Sequence, residues 1–457
     1  MKHLRRSTCA FALALSQACS GGTPATTAPV DGAQAALALD GDWRISSMVI
    51  ADIDHDGIDD VIAAAVLAHE TNAGGLFVTY GRSARLEGTV SIDTPDLFLA
   101  DPGLYDTVLV RGDFDGDGID DVAFGDDRVG DPPQGTLGPL LRVVYGDALR
   151  RTGSRTLDGV AVTLVPAAGT LYAGARAAAD IDGDGIDDLV VGGTMDEVSS
   201  FLHVAYGHHE RWPASSDLAV DAQVTGADGI GDLVSSAGDL DGDGHEDLVV
   251  AVQEGGVSNA HVLYGPFAGD IVLGADDFVI PTIGLDVGIT PMNADGDALG
   301  DLAVAQANGD VWVIAGNHTR HSGTFAAASA SAVLTALCTI GNEVNPVVAG
   351  DADGDGLDDL LVAQPGCGDV GVSGSVASGE VALVFGPPTS RALTSPDRMW
   401  TGTVSTMEGA DIRPGDGIGV QAARGDFDGD GHTDWFFTAG AGSWVPQTMQ
   451  IVYGGTR

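Results

Sequence analysis

Carboxylates recur in this chain at a spacing that suits hard-cation chemistry. The first cluster is Asp52, Asp54, Asp56 and Asp60, and the second is Asp113, Asp115, Asp117 and Asp121. Then come Asp180, Asp182, Asp184 and Asp188, followed by Asp239, Asp241, Asp243 and Asp247. A charge-reduced fifth copy reads Asn293, Asp295, Asp297 and Asp301. The last two are Asp351, Asp353, Asp355, Asp359 and Asp426, Asp428, Asp430, Asp434. Counted from its first residue, each copy carries side-chain oxygens at positions 1, 3, 5 and 9. Glycine at position 6 permits the positive φ that closes such a turn. The carbonyl of position 7 adds another oxygen: Ile58, Ile119, Ile186, His245, Leu299, Leu357 and His432. An all-oxygen set suits Ca²⁺, whereas Mg²⁺ demands stricter geometry and Zn²⁺ prefers Cys or His. Clustered carboxylates repel one another without a cation, so turns kept only for solubility are a poor explanation. We expect six or seven Ca²⁺ ions. The fifth copy is left open, because Asn293 removes a charge and Ala298 replaces the glycine.

These loops are not EF-hands, which need a Glu at position 12. Position 12 here is Ala63, Phe124, Val191, Val250, Val304, Val362 or Phe437. The flanks read as strands. Val61–Val66, Leu189–Val191, Leu248–Val252 and Leu360–Ala363 are short apolar runs, which fits strands buried on both faces. Each is followed by a second run ending in a hydrophobic-Gly pair: Tyr80-Gly81, Tyr145-Gly146, Tyr206-Gly207, Tyr264-Gly265, Ala315-Gly316, Phe385-Gly386 and Tyr453-Gly454. The loops start 61, 67, 59, 54, 58 and 75 residues apart, a repeat length that points to a propeller, solenoid or array. The predicted fold is all-β: a seven-bladed β-propeller over 35–457, with calcium-binding loops between the first and second strands of the blades. Its last unit lacks an outer strand, and Ala35–Leu39 is a strand without a unit. Pairing the two would close the ring and leave no long open edge.

The Asp-x-Asp-Gly-Asp-Gly-x-x-Asp loop resembles that of the FG-GAP or VCBS repeat proteins, whose best-known members form the amino-terminal propeller of integrin α subunits. The resemblance covers nearly all of 35–457. Val362-Ala-Gln-Pro365-Gly366 also looks like the family's Gly-Ala-Pro element, while its Phe-Gly element is blurred here to echoes such as Gly417-Ile-Gly419. The resemblance implies Ca²⁺ in these loops, on the face opposite the one used for ligands.

Composition bounds the partners. The chain has 457 residues, 67 of them Gly, and a formal net charge of −46. Such a surface repels phosphate backbones, so we expect no nucleic-acid partner. Residues 1–18 read as an export signal: Lys2, Arg5 and Arg6, then the apolar run Cys9–Leu15, then Ser16-Gln-Ala18. Cleavage before Cys19 would expose a start resembling that of bacterial lipoproteins, so Cys19 is a candidate lipid anchor on the cell envelope. Plain secretion is the alternative. The Gly-, Thr-, Pro- and Ala-rich stretch within 19–34 reads as a flexible tether. Lys2 is the only lysine, so loss of the signal excludes lysine chemistry. Cys338 and Cys367 suit a disulfide in an exported chain; closing ~30 residues would stabilise by roughly 3–4 kcal/mol.

Other candidates carry less. Arg111-Gly112-Asp113 and Arg424-Gly425-Asp426 spell an adhesion tripeptide, but each Asp is position 1 of an acidic loop. His208-His209-Glu210 reads as an exposed turn. No nucleophile elbow, phosphate loop or His-Glu-x-x-His segment appears. The long stretches Gly125–Leu140 and Gly366–Glu380 mark an expected working face opposite the loops, with Tyr105, Tyr172 and Trp400 either adding aromatic contacts there or packing in the interior. The expected function is a monomeric binding or adhesion module for a protein or glycan at the cell surface. The alternative is a calcium-dependent polysaccharide lyase or hydrolase.

Overall fold

The apolar runs that follow the acidic loops are strands buried along their length. Asp121–Gly125, Asp301–Ala305, Asp359–Gln364 and Asp434–Ala439 have no exposed residue. Val, Leu, Ile and Ala with both faces covered fit this environment. A computed structural model describes residues 29–455 except 40–42, 68–73, 102–103, 105–106, 126–140, 166–169, 196–198, 227, 255–256, 275–277, 283–287, 307, 339–345, 369–377, 404–405, 409–410, 414–417 and 441–447. The export signal, Cys19, Tyr105 and most of both long stretches lie outside the described residues, as does the side chain of Tyr172.

Seven antiparallel four-stranded sheets form the ring of a β-propeller. Blade 1 runs outward through Trp43–Ala51, Asp60–Leu67, Gly74–Thr79 and Leu97–Ala100. Blades 2 to 6 repeat this order, and every acidic loop joins the innermost strand to the second. Blade 7 takes Ile418–Gly425, Asp434–Ala439 and Thr448–Val452 from one end of the propeller and Ala35–Ala38 from the other. Ala35 pairs with Ile451 and Ala38 with Thr448, so the expected closure is present. Residues 29–34 also lie against the ring: the Val30 amide donates to Gln450 Oε1, and Val30 and Ala33 pack on the seam between blades 6 and 7.

The core lies between blades. Seven apolar clusters each span one pair of neighbours, from Leu37, Ile45 and Phe436 at the 7–1 seam to Trp400, Ile418 and Trp435 at the 6–7 seam. Each sheet therefore presents two apolar faces. The outer edges are stitched too. A short strand from the following blade adds in parallel to the outermost strand: Gly153–Thr156 on blade 1, for example, and Gly88–Ser91 on blade 7. Six of the seven blades gain such a strand among the described residues; blade 6 does not. Cys338 and Cys367 form the expected disulfide, tying the connector into blade 6 to the loop after its second strand. No α-helix occurs among the described residues, and no helix is long and apolar enough to cross a membrane.

His203, on the third strand of blade 3, is 7% exposed and lies 4.1 Å from the Phe201 ring. Burial pushes its pKa down to about 4. The unfolded chain takes up this proton near pH 6.5, so the contribution is complete above 6.5 and is lost as pH falls toward 4. Replacing His203 by Gln should flatten this part of the urea-stability profile by about 2–3 kcal/mol between pH 6.5 and 4. Parallel profiles for the two proteins would refute the assignment.

Candidate metal centres

Each acidic loop folds around its own backbone amides. The position-7 amide donates to the position-5 carboxylate in all seven loops, as Ile58 does to Asp56 and His432 to Asp430. In six loops the position-6 glycine donates to position 1 at 2.8–2.9 Å, with φ between +81° and +91°. Ala298 does not adopt positive φ, and loop 5 keeps only the position-4 bond, Gly296 to Asn293, that loops 3, 4 and 6 make beside the glycine bond. The sequence departure at loop 5 is thus a departure in backbone geometry.

The position-9 acids form the floor. Asp60, Asp121, Asp188, Asp247, Asp359 and Asp434 are 0% exposed, and Asp301 is 1% exposed. Each accepts the position-2 amide and the amide of the glycine in the downstream hydrophobic-Gly pair. A Cβ on any of those seven glycines would fall within 2.9 Å of the position-8 carbonyl oxygen, which explains the residue type. Burial raises the pKa of Asp60 and Asp121 to about 8, of Asp188, Asp247 and Asp434 to about 7, and of Asp359 to about 6. The backbone donors oppose this rise, and neighbouring loop acids add to it. Asp301 shifts upward for the same reasons. Buried carboxylates under that pressure need a proton or a cation.

The loops are also belted together. The position-8 amide of each blade donates to the position-1 carbonyl of the blade before it, at 2.7–3.2 Å, through all seven seams. Asp59, Asp120, Asp187 and Asp358 reciprocate, each accepting the position-1 amide of the preceding loop. Burial raises the pKa of Asp59, Asp120, Asp187 and Glu246.

The donor set fits a hard dication. Oxygens of Asp52, Asp54 and Asp60 lie within 4.8 Å of one another, as do those of Asp113, Asp115, Asp121 and of Asp239, Asp241, Asp247. In loops 3 and 6 the converging sets are Asp180, Asp182, Asp184 and Asp351, Asp353, Asp355. Asp54 is 5% exposed, and its Oδ1 has no hydrogen-bond partner among the described residues. Six to eight oxygen ligands would satisfy Ca²⁺, and the ion would supply charge neutralisation and cross-bracing. The backbone of positions 7 places Ile58, Ile119, Ile186, His245, Leu299, Leu357 and His432 beside these acids, through their amides to position 5.

Sequence reasoning missed a second set of residues. Arg150 reaches back from blade 2 to Asp54 and Asp56 of loop 1. Arg211 does the same to Asp115 and Asp117, Arg320 to Asp241 and Asp243, and Arg85 to Asp428 and Asp430. In each case Nε meets position 3, and Nη2 meets position 5 at 2.5–2.8 Å. Each guanidinium also lies over a tyrosine of the blade it reaches, Tyr80, Tyr145, Tyr264 or Tyr453, at 4.3–5.1 Å from the ring centroid. One signal was available: all four arginines fall five residues after the hydrophobic member of their own blade's pair.

Other sequence candidates separate from this set. Asp113 and Asp426 take their own loop amides, as the reading of the two adhesion tripeptides requires. His208, His209 and Glu210 form an exposed turn. Trp400 takes the interior alternative: it is 3% exposed and packs against Phe437 in the 6–7 seam, because its outer-strand register turns it inward.

No family model matches the chain. Human integrin alpha-IIb is 29% identical over 153 residues, which is 32% of this chain and 14% of that protein's length. This is an integrin-like similarity over part of the propeller. Among solved structures, a BBS1N–ARL6DN complex soaked with lead matches with a TM-score of 0.43 at 13% identity, covering 89% of this chain and 91% of that one. A Bacillus licheniformis rhamnogalacturonan lyase matches with a TM-score of 0.44 at 12% identity, covering 94% and 75%.

Proposed function

We propose that this chain is a calcium-stiffened extracellular propeller of the FG-GAP/VCBS type that binds a protein or a glycan. One observation carries this reading: converging carboxylate clusters recur from blade to blade on one end of the ring. Calcium there is structural. It neutralises the acids over the buried position-9 floor and leaves the other end, with the longer connectors, for a partner. The six complete loops bind Ca²⁺, and loop 5 binds more weakly or not at all. The export signal at 1–18, the anchor at Cys19 and the monomeric state belong to the same proposal, and the partial similarity to an integrin α subunit supports an extracellular setting.

Elemental analysis of purified protein should return about six Ca²⁺ per chain. A glycan array and a cell-surface pull-down, each with and without calcium, should then identify a calcium-dependent partner. Incubation with acidic polysaccharides separates the alternative. New unsaturated product, abolished by changing one Tyr, His or Arg, would replace the binding reading with a lyase.

A further inference from the structure

Among the described residues, four loops carry a second cation of protein origin, each at a buried position-3 acid. A dication neutralises half the charge of four carboxylates, which leaves a buried deficit. Loops 1, 2, 4 and 7 each receive a guanidinium from the next blade. Their position-3 acids, Asp54, Asp115, Asp241 and Asp428, are only 4–6% exposed. At the register of these arginines blade 4 has Gly269 and blade 6 has Ser390, opposite loops 3 and 5. There Asp182 is only half-buried and Asp295 is exposed. Loop 5 already has one acid fewer. Loop 3 has the His245 imidazole where a Cβ on Gly183 would sit, which adds a favourable field at Asp182, but loops 2 and 4 have His209 and His318 in the same place beside their arginines.

The oxygens involved are those a metal needs. In loop 2 the amides of Asp117 and Ile119 take one oxygen each from Asp115 and Asp117, and Arg211 takes the other two. Loops 4 and 7 repeat the arrangement with Arg320 and Arg85.

We propose that Arg85, Arg150, Arg211 and Arg320 are built-in counterions that hold loops 7, 1, 2 and 4 folded before calcium arrives and then compete with it for the carboxylates of positions 3 and 5. This rests on the calcium reading. The arginine-buffered loops thereby tolerate calcium loss, whereas loop 3, with Gly269 at the arginine register, depends more on the ion. Each arginine also ties a loop to the next blade through its tyrosine platform, so the buffering is a contact between blades.

The test uses the full chain with Arg211→Gln and Arg211→Lys, melted metal-free and titrated with calcium by calorimetry. Arg211→Gln should lower the metal-free midpoint by about 1–2 °C. It should tighten one calcium site about five- to tenfold. Arg211→Lys, which keeps the charge without the fork, should fall between wild type and Gln. Salt at 1 M should shrink the midpoint difference. An unchanged metal-free midpoint overturns the proposal, and so does weaker calcium binding in Arg211→Gln. Wild-type protein that takes up no calcium defeats the calcium reading instead. In that event a lowered metal-free midpoint still upholds the arginine as counterion.

Discussion

Removing divalent ions with a chelator lowers the thermal midpoint by roughly 15 °C or more, and returning calcium restores it. The size follows from mass action. At calcium a hundredfold above its dissociation constant, each occupied loop adds ~2.7 kcal/mol. Six such loops exceed the whole stability of an ordinary domain, ~5–15 kcal/mol. Extracellular calcium sites can be weak, on the order of 10⁻⁴–10⁻³ M, so millimolar calcium belongs in the assay. The buried position-9 acids give the effect its origin, because seven such groups have little contact with water. Scanning calorimetry with and without chelator measures it. Superimposable melts, together with no alkaline-earth metal by elemental analysis, would sink the calcium assignment.

Deleting residues 29–40 costs comparable stability by opening the ring. Ala35–Ala38 lies between Thr448–Val452 and Gly88–Ser91, so its removal leaves two strand edges unpaired. Leu37 and Leu39 are 0% and 1% exposed in the 7–1 seam, and burying two leucines contributes ~3–6 kcal/mol before any hydrogen bond is counted. The truncated protein should melt at least 10 °C lower or aggregate through its open edges. Leu37→Asp gives a soluble route to the same test: an unpaired charge in that seam should cost more than 3 kcal/mol. A peptide spanning 29–40, added in trans, should recover part of the deletion's loss. A deletion variant with the wild-type melt would show that closure adds nothing.

The acidic loops were legible because their signal is local. Nine residues contain the donors, the turn glycine and the spacing, and the strand that follows is apolar enough to stand out. The closure was legible from two matching deficits at the ends of the propeller. The arginine forks were not, because Arg211 meets Asp115 across 96 residues and Arg85 meets Asp428 across 343. Only their distance from the hydrophobic-Gly pair repeats, and that pattern gains meaning once neighbouring blades are known to touch. The added outer strands were hidden for another reason. Gly153–Thr156 is exposed at every residue, so it buries no apolar side chain that a pattern could reveal. Trp400 stayed open in the sequence because residue type alone does not tell an aromatic on a binding face from one wedged between sheets.

The seven-membered amide belt has a mechanical implication. Every joint is the same kind of contact, and the seam where the two ends of the chain meet carries one like the rest. An outward pull on any blade is therefore shared by the joints on its two sides, as load spreads around a barrel hoop, and the four seams with a reciprocal carboxylate bond hold hardest.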